Sequence, residues 1–356
     1  MLEIFRPENR YQISGLAGRF PCIMLGPTVV RAIENRRIGF LSLFMMTTTL
    51  ALAGWEILPP LPAPNGGFVC GALDGKIVVF GGTNWKDNTK HWLDVIWVFD
   101  PASRQWKPQG KLPQPLAYPV LGEWNGDLVI GGGTDGANSR KEIWRLKPSW
   151  EISRMGVLQE DRALAVGGVL GDQFVVIGGS ADYAKFEGLH KNGEQFHLPS
   201  GTSSALSIPE GAVFGLAASV VVGQELFSFG GAKYDAAKQV ANLSGAWAYD
   251  VPKAAWRKLR PYPFPVRGAS AVKLDQHHIF VAGGYGGDPA DFTAATYIYD
   301  AQHDTYTQAL DLPVAALVGL VTAGDFVYCL GGEDKMKHRT DVCARVTVKE
   351  LLREMR

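Results

Sequence analysis

Six short apolar strands, each closed by paired glycines and set about fifty residues apart, predict an all-β chain folded as a six-bladed β-propeller. The copies are KIVVFGG (Gly81-Gly82), DLVIGGG (Gly132-Gly133), QFVVIGG (Gly178-Gly179), ELFSFGG (Gly230-Gly231), HIFVAGG (Gly283-Gly284) and FVYCLGG (Gly331-Gly332). In several copies a later strand ends in Asp, with a Trp or Tyr six residues beyond it: Asp100 and Trp106, Asp250 and Trp256, Asp300 and Tyr306. A Pro-containing turn follows, as in LPQP and YPFP.

Each repeat supplies four short strands. The glycines end the second strand, where backbones come close and left-handed dihedrals are needed. The aromatic residue is expected to pack between adjacent blades. One such unit cannot bury both of its faces, so the blades must stack in a ring. The third copy is degenerate: SADYAKFEGLHKNGEQFHLP follows Gly179 without a clear aromatic anchor.

Ring closure is also legible. The last repeat has FVYCLGG and DVCARVTV, but no W…LPPLP segment after them. That segment stands at Trp55 to Pro62 instead, so an N-terminal strand is expected to complete the last blade and leave no open edge. The organisation expected is a leader over 1–53, a propeller over 54–348 and a polar tail or short helix over 349–356.

Within the leader, Arg36 and Arg37 precede an apolar run from Ile38 that ends Ala51-Leu52-Ala53. Basic flank, short apolar core and small-residue site are the layout of a secretory signal. The run is too short, and too interrupted by Thr47, Thr48 and Thr49, for a membrane span. A periplasmic or secreted protein without stable membrane insertion is expected. Lys+Arg and Asp+Glu both number 35, so no bulk field favours nucleic acid. Cys22 falls in the leader, which leaves Cys70, Cys329 and Cys343; their spacing suggests no zinc site. Cys329 and Cys343 fall on neighbouring strands, where either one bridge or buried free thiols can form.

Two loop sets should converge on the mouth of the central channel. After the glycines stand Asn84, Asp135, Ser180, Lys233, Tyr285 and Glu333. Before the innermost strands stand Asn65, Tyr118, Arg162, Glu210 and Arg267. The last blade carries the most chemistry. Glu333 directly follows its glycines, and Arg339 stands on the returning side of the same loop. A carboxylate can exchange protons, and a guanidinium can hold an anion by paired hydrogen bonds. Taken by itself, such a pair on a loop can also be no more than a solvated ion pair.

The repeat resembles the kelch repeat over about 54–348. Within it, the GE-x5-RT arrangement from Glu333 to Thr340 resembles the bacterial N-acetylneuraminate epimerase (sialic acid mutarotase) family. Its place in the final blade, with LPPLP near the start, resembles the cyclically permuted branch of that family. GGTN at 81–84, GDLVIGGG at 126–133 and GLAAS at 215–219 add to the likeness. Where relatives carry Pro-Gly inside the loop, this chain has Lys337-His338. The resemblance implies Glu333 as the catalytic carboxylate and Arg339 as its arginine. It implies a small acidic sugar as substrate and no cofactor or metal. Arg162, Arg267, Asn84, Tyr118, Asp135 and Tyr285 are the expected substrate-binding residues. The alternative is a non-catalytic propeller that binds a glycan or protein partner through the same loops. A copper radical oxidase, also built on such propellers, is set aside, because His277, His278 and the scattered remaining histidines form no ligand set.

Overall fold

The computed structural model describes residues 54–356 except 185–187, 236, 238, 288–290, 354 and 356. The leader over 1–53, with its signal-like segment, lies outside the described residues. Six four-stranded antiparallel sheets form the six blades. Blade 1 runs outward through Val69–Leu73, Lys76–Phe80, Val95–Asp100 and Gln105–Lys111. Blades 2 to 5 repeat this order from innermost strands that begin at Val120, Val166, Ala218 and Ser270. Blade 3 is complete despite its degenerate sequence, with Asn192–His197 and Thr202–Ser207 as its outer pair. Blade 6 joins Leu317–Ala323, Phe326–Glu333 and Cys343–Thr347 to an outermost strand, Glu56–Ile57, from the other end of the chain. The closure expected from the displaced LPPLP segment is therefore present.

The paired glycines make the ring. In every blade the second glycine N–H donates to the carbonyl that opens the next blade. Gly82 donates to Leu116, Gly133 to Arg162, Gly179 to Phe214, Gly231 to Val266, Gly284 to Ala316 and Gly332 to Asn65, all at 2.7–2.9 Å. The first glycine faces the same carbonyl. A Cβ on Gly81 would lie 2.1 Å from the Leu116 oxygen, and one on Gly331 2.6 Å from that of Asn65. Their φ angles, +57° and +46°, lie in the left-handed region, which adds strain for most side chains. Strand-ending glycine is thus a requirement of blade-to-blade contact.

The aromatic anchors also join neighbouring blades. Asp100, Asp250 and Asp300 accept backbone N–H groups within their turns, which fixes the strand that follows. Trp106 then donates to the Pro59 carbonyl at 3.0 Å, Trp256 to Ser207 at 2.9 Å and the Tyr306 hydroxyl to Arg260 at 3.0 Å. The innermost strands line a channel of about 540 Å³, walled mainly by Gly, Ala and Val.

Residues 348–353 are not a loose polar tail. They form a short helix, Val348–Arg353, that buries Leu351 against the core of blades 5 and 6. Thr347 and Glu350 start it with a reciprocal capping box: the Thr347 hydroxyl accepts from the Glu350 N–H, and the Glu350 carboxylate accepts from the Thr347 N–H. Cys329 and Cys343 do lie on adjacent strands, but Cys343 pairs with Leu330 while Cys329 pairs with Ala344. A one-residue offset turns the two sulfurs to opposite faces, so both are free thiols in separate cores.

Closure depends on few residues. Leu58 and Leu61 each donate a backbone hydrogen bond to blade 6 at 2.8 Å, and both side chains are buried. Leu61→Ala is expected to lower unfolding stability by about 2–5 kcal/mol in denaturant titration, with earlier hydrogen exchange in both blades 6 and 1. A loss confined to residues 55–62 would show that the ring closes without this strand.

Candidate active site at the channel mouth

The residue just after each glycine pair is part of a ring of equivalent positions at the mouth. These are Thr83, Thr134, Ser180, Ala232, Tyr285 and Glu333. Each is bonded to a residue at the start of its own blade's inner strand: Gly66, Ala117, Ala163, Gly215, Arg267 and Leu317 respectively. In four blades the position holds a small, fully buried residue. In blade 6 it holds a carboxylate. Glu333 is therefore only 8% exposed because of its place in the ring.

Arg339 reaches the same point from the returning side of the loop. Its Nη1 lies 3.0 Å from Glu333 Oε2 and donates to the His338 carbonyl at 3.0 Å. Its Nε donates to Thr83 Oγ1 at 3.4 Å. Gly66 makes room for it, since a Cβ there would sit 2.5 Å from Arg339 Cδ. An Asp334–His338 contact of 2.5 Å closes the loop beneath the pair. Among the described residues, neither Glu333 Oε1 nor Arg339 Nη2 makes a hydrogen bond, so one acceptor and one donor edge remain for a ligand. Burial pushes the Glu333 carboxyl above the usual range, and Arg339, Lys90 and Arg267 only partly offset that.

Arg267 and Tyr285 are bridged partners in blade 5. The guanidinium lies 4.4 Å over the phenol ring and donates to Asn242 Oδ1 at 2.7 Å. Burial pushes its pKa down to about 10, with Tyr285 and Glu333 pulling the other way. The hairpin of Thr83–Lys86 and Thr89–Trp92 brings Lys90, which sequence reasoning missed. Thr83 pairs with Trp92 and Trp85 with Lys90, so these four share one face. That face looks onto the mouth. Trp92 packs edge-on against Tyr118 and Tyr183, and Lys90 Nζ donates to Tyr118 Oη at 3.3 Å. The signal available was TNWK set against TKHW across a tight turn, which reads only once the hairpin is recognised.

The expected site residues are not all brought together. Glu333, Arg339, Tyr118, Tyr285 and Arg267 gather at the mouth. Asn84 pairs with His91 on the opposite face of the hairpin from Thr83, so it points away from Arg339. Asp135 stands one residue beyond the ring; it accepts from Ala137 and Asn138 within its own turn and pairs with Arg140. Arg162 precedes Ala163, the residue equivalent to Arg267, so its side chain turns the other way. All five of its N–H donors are used: Glu194 at Nε, Gly178 and Asn192 carbonyls at Nη1, Glu160 and Asn192 side chains at Nη2. It is a buried tie in blade 3 with nothing left for a substrate.

A Kelch motif model matches residues 64–113. N-acetylneuraminate epimerase of Brucella suis is 34% identical over 122 residues, which cover 28% of this chain and 30% of that protein. Kelch-like protein 36 of Mus musculus is 24% identical over 293 residues, covering 81% of this chain and 47% of that protein. Kelch-like protein 21 of Danio rerio is 38% identical over 76 residues, or 21% of this chain and 11% of that protein. The chain spans less than half the length of each of these relatives. It is a six-bladed kelch propeller that resembles the epimerase family.

Two measurements check this geometry. A folded-state pKa above the unfolded value of 4.5 means the native protein holds the Glu333 proton more tightly. Stability contributed by the protonated form is then present below 4.5 and is lost as pH rises through the folded value. Glu333→Gln should therefore match the wild type in thermal stability below 4.5 and exceed it at neutral pH; a gap of opposite sign would mean the charge is welcome there. Glu194→Ala, which strands the buried Arg162, should cost about 3–5 kcal/mol of unfolding free energy without altering ligand binding at the mouth.

Proposed function

We propose that the protein is a mutarotase that interconverts the anomers of an acidic sugar, N-acetylneuraminate, by acid–base ring opening and closure. The observation that carries this is the Glu333–Arg339 pair: a buried carboxyl with one oxygen uncommitted, set beside a guanidinium with one free edge at the channel mouth. Mutarotation takes a proton from the anomeric hydroxyl and delivers one to the ring oxygen. Burial raises the proton affinity of this carboxyl, and a positioned carboxyl can take a proton in one direction and return it in the other. Arg339 Nη2 suits the sugar carboxylate, with Lys90 and Arg267 adding positive potential. The resemblance of the GE-x5-RT stretch at Glu333 to Thr340 to the epimerase family supports the same assignment. The chemistry calls for no metal or redox cofactor. The signal-like leader supports work outside the cytoplasm, in the periplasm or beyond it, where free sialic acid would be met.

A second reading, a non-catalytic propeller that binds a glycan or protein, is favoured by Met336, 45% exposed at the tip of the same loop.

Exchange NMR on N-acetylneuraminate separates the two. The protein should accelerate anomer exchange over buffer, and Glu333→Gln should lower the catalysed rate by about 10²–10⁴-fold. Binding without faster exchange would establish the second reading.

A further inference from the structure

Ring opening needs two proton-transfer groups, and Glu333 supplies one. We propose that Tyr118 is the second, with Lys90 as the positioning residue that holds its oxygen; this rests on the mutarotase reading. Geometry places Tyr118 beside Glu333 and Arg339. Gly66 and Gly67 are neighbours in the chain, so their Cα atoms are about 3.8 Å apart. A Cβ on Gly66 would meet Arg339 Cδ at 2.5 Å, and one on Gly67 would meet Tyr118 Cε1 at 2.5 Å. The guanidinium stem and the phenol ring thus lie against consecutive residues of one strand end. Thr83 and Trp92 make a second link. They are cross-strand partners, one accepting from Arg339 and the other packing on Tyr118.

The hydrogen bond between Lys90 and Tyr118 has a direction. An ammonium can only donate, so Tyr118 Oη accepts from Lys90. The phenol proton is left to point elsewhere, and no acceptor takes it among the described residues. Lys90 itself is held by three rings, with Nζ 4.5 Å from the centre of Trp92, 5.4 Å from Tyr118 and 5.6 Å from Tyr183. Tyr183 is fixed in turn by donating to the Gly136 carbonyl at 3.3 Å. Residues from three blades therefore serve to hold one ammonium against one phenol oxygen.

The step balances. Glu333 as carboxylate takes the anomeric hydroxyl proton. The carbon–ring oxygen bond breaks, its electron pair goes to the ring oxygen, and that oxygen takes the Tyr118 proton. The open-chain keto form then lies between protonated Glu333 and a phenolate facing Lys90. Rotation of the carbonyl and attack on its other face reverse both transfers and restore the protein. The charged groups facing Tyr118 are Lys90 from the hairpin and Arg339 and Glu333 from blade 6, with Tyr183 from blade 3. Burial raises the Tyr118 phenol, but Lys90 and Arg339 outweigh it and hold the phenol below its ordinary value. Glu333 is displaced upward.

The experiment uses the whole protein, ¹³Cζ-tyrosine labelling and exchange NMR on N-acetylneuraminate. Tyr118, assigned by loss of its signal in Tyr118→Phe, should titrate below the other tyrosines, and Lys90→Met should move its midpoint up. Tyr118→Phe should lower kcat by about 10²-fold or more with KM within about twofold. Lys90→Met should shift the alkaline side of the rate profile upward along with the NMR midpoint. If the wild type turns over and Tyr118→Phe keeps its kcat, the role of Tyr118 is overturned while the mutarotase reading stands. If the wild type gives no turnover, both fall together. If Lys90→Met leaves the Tyr118 midpoint and the alkaline limb in place, the Lys90 role is overturned.

Discussion

The hydrogen bond from the second glycine of each pair to the carbonyl that opens the next blade is the contact on which this molecule depends. It recurs in all six blades at nearly constant length, and the sixth copy, Gly332 to Asn65, closes the ring. Because the donor and the acceptor both lie at the mouth, this contact fixes the next residue along each strand end with little freedom. The chemistry of the site follows from that placement. A ring position suited to Thr, Ser or Ala is filled in blade 6 by Glu, and burial of its carboxyl follows directly.

The mouth is regular except at blade 6. The residues two beyond the accepting carbonyls, Gly67, Tyr118, Leu164, Leu216 and Gly268, all have left-handed φ between +53° and +70°. They are joined in series, Tyr118 to Gly67, Leu164 to Tyr118, Leu216 to Leu164 and Gly268 to Leu216, at 2.7–3.2 Å. In blade 6 the register slips between Leu317 and Gly319. The slip falls on the strand that pairs with Glu333. The series of backbone bonds therefore ends where the carboxylate, Arg339 and the longest run of charged loop residues meet. Blade 6 supplies the carboxylate and Arg339, and the regular positions of its neighbours bring Tyr118 and Lys90 up to them.

Much of the fold was legible because glycine pairs and turn aspartates are dictated by backbone geometry, and backbone geometry repeats. The strand at Trp55 could be assigned to the last blade by counting what that blade lacked. The site was less legible for a reason of register. Asn65 and Arg162, Arg267, and Tyr118 all precede an inner strand, but they occupy three successive positions, and side chains alternate along an extended chain. Arg162 and Arg267 thus look equivalent in sequence and face opposite ways. Asn84 and Asp135 stand one residue past the ring for the same reason. Lys90 was missed because a hairpin inserted after the glycines of blade 1 folds back over the mouth, which spacing from the glycines alone does not show. Glu333 and Arg339 could be placed together at the mouth because Glu333 directly follows a repeat landmark and Arg339 returns on the same loop.

The central claim is that an acidic sugar is held in the mouth at blade 6, with its anomeric oxygen at Glu333. A crystal structure of the Glu333→Gln protein with N-acetylneuraminate tests it most directly. The sugar carboxylate should lie on Arg339 Nη2, with the anomeric hydroxyl within hydrogen-bond reach of residue 333. A sugar bound on another face, or a mouth left empty at saturating ligand, would contradict it.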